Sequence, residues 1–168
     1  MELIASYTAT SPVSSISFTS VAPDWTDLVL VISGRVTRAT TFSTIVMKFN
    51  GSSSDYSTKS LTGNGSAASS GGGTGFSSIA SMEVPANNAT ANTFGNHIIY
   101  IPNAFGSSYK SVSIDAVSET NATTAYSNIV AGLWSNSAAI TSVALTEPNG
   151  GSNFATNSTA YLYGVSNA

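Results

Sequence analysis

The chain has 168 residues, 79 of them Ser, Thr, Asn or Gly; only 8% are charged, the net charge is −3 and the sequence pI is about 4.7. Five basic residues, with Lys48, Lys59 and Lys110 far apart in sequence, argue against a nucleic-acid binder, which needs clustered cations to displace phosphate counterions. The absence of cysteine removes disulfides, thiolate metal sites and cysteine nucleophiles together.

A chain of this length is expected to form one domain over residues 1–168, with a core large enough to need no staples. Strand signals, short runs of β-branched and aromatic residues bounded by Gly, Pro, Asn and Ser, recur along it. They fall at Glu2–Thr8, Val13–Thr19, Asp27–Val36, Ser43–Phe49, Gly75–Val84, Gly95–Ile101, Ser108–Val117, Asn128–Trp134, Ile140–Thr146 and Thr159–Val165. Met1 to Tyr7 lacks a basic segment before its apolar residues, so it reads as the first strand and not as a signal peptide. The longest apolar run, Leu28 to Ile32, is strand-sized and far short of the roughly 20 residues that cross a bilayer as a helix. Between Thr62 and Gly75 there is almost no side chain to pack, which predicts a long exposed loop or a flat, close-packed backbone. Pro23, Pro85, Pro102 and Pro148 mark strand ends.

Val112 to Ala116 alternates apolar and polar, as a sheet with one wet face requires. Leu28–Ile32 and Ile98–Ile101 are apolar at every position and belong in the middle of the sandwich or against a partner subunit. Ser, Thr, Asn and Gly are poor helix formers. The expected fold is therefore all-β, an antiparallel, jelly-roll-like β-sandwich of about eight to ten strands.

Candidate chemistry is sparse. His97 is the only histidine and has no Gly-x-Ser-x-Gly elbow to serve, so it reads as a structural strand histidine. Asp24 and Asp27 bracket Trp25 and read as a turn whose carboxylates bind nearby backbone N–H groups. Glu83, Asp115, Glu119 and Glu147 read as isolated, solvated acids. Gly71-Gly72-Gly73-Thr74-Gly75 lacks the Lys and the helix of a phosphate loop. No catalytic residue, cofactor-binding residue or metal ligand is assigned. Aromatic residues near turns carry more weight, because such rings either cap the core or contact a partner. Trp25, Phe76, Phe105 and Tyr109 are the candidate partner contacts, with Phe105 expected to be the most exposed.

The stretches Ile4–Tyr7, Trp25–Leu30, Phe49–Ser52, Ala91–Asn96, Tyr100–Asn103, Tyr109–Val112 and Ala131–Asn136 give the chain a further character. Their order resembles that of a family of small virion proteins from tailed phages of cyanobacteria and other aquatic bacteria. The resemblance implies a virion component without catalytic residues. Decoration of the capsid exterior is favoured over a place in the tail, because the chain has no fibrous repeat or coiled-coil segment. The expected partners are further copies of the chain, a trimer being favoured, and the major capsid protein of the same virion; neither nucleic acid nor a membrane is expected. The alternative is a tail-fibre or tail-tip receptor-binding, lectin-like module in which Phe105, Tyr56 or Trp25 stacks on a host sugar.

Overall fold

The computed structural model describes residues 1–148 and 151–166. Twelve strands follow in chain order: β1 (Glu2–Thr8), β2 (Ser15–Thr19), β3 (Asp27–Gly34), β4 (Phe42–Phe49), β5 (Tyr56–Gly63), β6 (Ala68–Phe76), β7 (Ile79–Pro85), β8 (Gly95–Ile101), β9 (Lys110–Ser118), β10 (Tyr126–Trp134), β11 (Ser142–Thr146) and β12 (Thr159–Val165). No helix occurs among the described residues. The strands form an eight-stranded sheet in the order β1-β12-β3-β8-β9-β10-β5-β6 and a four-stranded sheet in the order β2-β11-β4-β7, with every pairing antiparallel. The two sheets pack face to face as a sandwich, the arrangement in which two half-apolar sheets bury their greasy sides against each other.

The core follows from period-two alternation. Val112, Ile114 and Ala116 of β9, Leu28, Leu30 and Ile32 of β3, and Ile99 and Ile101 of β8 point inward, and meet Ile16, Ile45, Met47, Val143 and Leu145 of the small sheet in one buried cluster. Near one end of the sandwich Phe49, Tyr56 and Trp134 join the layers, with ring centroids 5.6 Å apart for Phe49–Trp134 and 6.2 Å for Tyr56–Trp134. The Tyr56 hydroxyl accepts from the Phe49 N–H at 2.8 Å, so this large ring is buried without an orphaned polar tip.

Two strands escape the sequence reading. Of the two expectations for Thr62–Gly75, the long loop is overturned and an extended backbone is found: the segment forms most of the β5–β6 hairpin, and Gly75 and Phe76 end β6 and do not begin β7. The turn is made by Asn64-Gly65: the Asn64 Oδ1 accepts the N–H groups of Ser66 (3.0 Å) and Ala67 (2.8 Å), and Gly65 takes φ +86°. Asn-Gly is a strong short-range hairpin signal. The strand itself gives no side-chain cue, because backbone hydrogen bonding to β5 alone holds it.

Lys110 is fully buried and donates from Nζ to the carbonyls of Gly106 (2.7 Å) and Ser108 (2.5 Å), which fixes the loop before β9; burial lowers its pKa. Glu147 is not a solvated surface acid: it is buried and accepts from Arg38 Nη1 at 2.9 Å and from the Ser43 hydroxyl at 2.7 Å. Glu83 also departs from that reading, being half-buried with its carboxyl pushed up by desolvation.

Candidate functional site

Pairing registers decide which side chains share the outer face of the large sheet. One row crosses all eight strands: Ser6, Tyr161, Val31, Ile98, Asp115, Ile129, Leu61 and Ser70. The next row toward the Asp27 end holds Leu3, Tyr163, Val29, Tyr100, Ser113, Ala131, Lys59 and Gly72. Ile129 is 65% exposed, Leu61 53% and Ile98 48%. Leu3, Tyr100 and Val117 lie on the same face and are also exposed. Asp115 and Lys59 are the charged members of these two rows. Scattered exposed leucines need no explanation, but Val31, Ile98, Ile129 and Leu61 brought into one row, interrupted only by Asp115, do.

The Asp27 end of this face is fixed by a carboxylate clamp. Asp27 opens β3 and accepts the Tyr100 hydroxyl at 2.7 Å and the Asn103 N–H at 2.8 Å. It therefore binds a backbone N–H, as a turn acid does, but one that belongs to the loop after β8 and not to its own turn. The hydrogen bond to Asp27 raises the Tyr100 pKa and ties its ring to the outer face.

The four sequence-selected aromatics gather at that same end of the large sheet, on the loops and strand ends beyond the face. Trp25 and Phe105 sit in neighbouring loops joined by the Ala104 N–H donating to the Thr26 carbonyl at 2.9 Å. Trp25 is half-buried, its indole so close over Gly164 that a Cβ there would overlap the ring. Phe105 is half-buried and packs against the core, which corrects the expectation that it is the most exposed of the four. Tyr109 takes that place at 60% exposure, and Phe76 is 39% exposed. Phe76 ends β6, with its ring over Gly73, and lines a cleft of about 430 Å3 with Thr58, Ser77, Ser78, Ser81 and Pro148. Tyr56 is buried and offers no stacking surface.

The residues that sequence reasoning missed are Ile129, Leu61 and Leu3. The two-sided apolar run of β8 did signal an outward Ile98, whereas Leu61 stands alone among Ser and Thr and gives no warning.

His97 is fully buried between the layers, with Nε2 3.0 Å from the Glu83 carbonyl, and burial pulls its pKa down to about 4. A histidine held neutral and sealed from solvent is a packing element. Among the described residues, no group of three or more His, Asp or Glu gathers in a metal-binding arrangement, and no helix is long and apolar enough to cross a membrane. No family model matches the chain, and no curated protein matches it significantly.

Proposed function

We propose that this protein is a virion structural component, a decoration or cement protein that lies on the outside of a tailed-phage head and grips it with the outer face of its large sheet. The observation that carries this reading is the uncovered aliphatic surface centred on Ile98, Ile129 and Leu61. With strands about 4.8 Å apart and about 3.3 Å rise per residue, eight strands give a face of roughly 34 by 23 Å. That is close to the roughly 800 Å2 that each partner contributes to a specific interface of ordinary size. Asp115, between Ile98 and Ile129, and Lys59 are the two charges of these rows that such a contact has to pair, because burying an unpaired charge is costly. Repetition over a shell multiplies even modest contacts.

The fold reading that accompanies this proposal is jelly-roll-like. The chain passes between the sheets at β1–β2, β2–β3, β3–β4, β4–β5, β6–β7, β7–β8, β10–β11 and β11–β12, and the β9–β10 hairpin widens the large sheet between β8 and β5. The assembly reading is a homo-oligomer, with a trimer favoured. A tail-tip lectin is the weaker reading, because Tyr56 is sealed in the core and Trp25 and Phe105 lean inward.

Virions with and without the protein test the proposal. Hundreds of copies per particle and a lower head-disruption temperature in the depleted particles are expected. A dozen copies, or equal disruption temperatures, would overturn it.

A further inference from the structure

The large sheet ends in two open edges, β1 and β6, and among the described residues nothing pairs with the outer side of either. An exposed edge presents unpaired N–H and C=O groups and templates further pairing unless it is guarded by charge, proline or cover. Neither guard stands within β6: Ala68–Phe76 contains no charged residue and no proline, and the strand is exposed along almost its whole length.

We propose that β1 of one copy of this chain adds to β6 of the next, joining copies head to tail into a continuous sheet. Three observations favour this occupant. First, direction: eight strictly alternating strands leave the two edges running in opposite senses, so head-to-tail copies meet antiparallel without inversion. Second, shape: β1 turns Leu3 and Ser6 to the outer face, its Ile4 and Tyr7 being packed against the core, while β6 offers the glycine floor of Gly71, Gly72 and Gly73. Continuing the rows of the sheet places Ser6 opposite Ser70 and Leu3 opposite Gly72. β1 is also bulged between Leu3 and Ala5, and a bulged strand twists more than its neighbours; the glycines can follow that twist, Gly72 already lying at φ +139°. Third, charge: the Lys59 stem lies across Gly72, so a symmetric β6–β6 pairing with Gly72 opposite Gly72 would bring two lysine ammonium groups together, whereas β1 contains no Lys or Arg and opens on the acid Glu2. A head-to-tail contact of this kind closes into a ring of copies or propagates as a filament.

The inference does not depend on the virion reading, and its test uses the isolated chain. Because the protein has no cysteine, introduced thiols report pairing directly. Ser6 and Ser70 are exposed and lie on opposite edges, roughly 34 Å apart within one copy, so a disulfide between them must join two copies. On mild oxidation, the Ser6→Cys/Ser70→Cys double variant is expected to give covalent oligomers, and each single variant none. Light scattering of the unaltered chain at tens of micromolar is expected to report an oligomer, and Ser70→Lys a monomer that still unfolds cooperatively but whose melting temperature no longer depends on concentration. Cross-linking by Ser70→Cys alone, or a monomeric unaltered chain, would overturn the proposal.

Discussion

The two sheets of the sandwich present opposite outer surfaces from the same kind of alternating strand. On the small sheet, Ser15, Ser17 and Thr19 of β2 stand in register with Thr146, Ala144 and Ser142 of β11, a surface of hydroxyls and one methyl group. On the large sheet, the equivalent outward positions hold Val31, Ile98, Ile129 and Leu61. Both inner faces are mostly apolar, with His97, Thr58 and Asn128 of the large sheet buried among aliphatic and aromatic neighbours, so the fold demands little of either outer face. The hydroxyl face is what water alone requires; the aliphatic face is an excess over what folding needs, and an excess of that kind marks a contact surface.

The largest effect is expected where the two layers are tied together. Trp134→Ala removes the ring stacked on Tyr56 and packed on Phe49, and should cost about 3–5 kcal/mol in urea unfolding, degrading both outer faces alike.

His97 comes next. Its pKa is pulled below the ordinary 6.5 to about 4, so the unfolded chain takes up the proton first as pH falls. Stability from this site is complete above about pH 6.5 and declines toward pH 4, by about 3 kcal/mol in total. Glu83, whose carboxyl is raised by desolvation, works in the opposite sense and makes the net slope shallower. His97→Gln should flatten the decline, measured as the unfolding midpoint between pH 7 and pH 4.

The sharpest form of the comparison is a pair of matched lysines. Ile129→Lys on the large sheet should weaken binding to depleted virions at least tenfold, which is about 1.4 kcal/mol at each contact, while changing stability by no more than about 0.5 kcal/mol. Ser17→Lys on the small sheet should alter neither quantity beyond about 0.5 kcal/mol. Equal responses from the two faces would remove the distinction between them.

Much of the fold is legible in the sequence. Glu2–Thr8, Gly95–Ile101 and Thr159–Val165 are strands with the expected bounds, because β-branched and aromatic residues flanked by turn formers leave little alternative. The other expected strands shift by a few residues at their ends, where pairing and not propensity sets the limit: Val13 and Val36 sit outside β2 and β3 and make isolated bridges to Phe154. Legibility failed for β5 and β6: in β5 the strand formers Tyr56, Thr58, Leu61 and Thr62 are scattered among Ser, Lys and Gly, and β6 is mostly Ser and Gly, which are poor strand formers. It also failed for Phe105 and Tyr56, since a ring near a turn can fold inward or outward with the same sequence around it.

Composition and periodicity by themselves determined the class of the protein: apolar residues at every second position must be buried, and two half-apolar sheets can bury them only against each other. What they left open was the partition of the strands into eight and four, and with it the identity of the outer faces. That partition depends on long-range pairing, because a strand's outward side chain becomes part of a surface only when its neighbours across the sheet are known. Ile98, Ile129 and Leu61 are separate residues in the chain, and only the register of β8, β9, β10 and β5 makes them one surface.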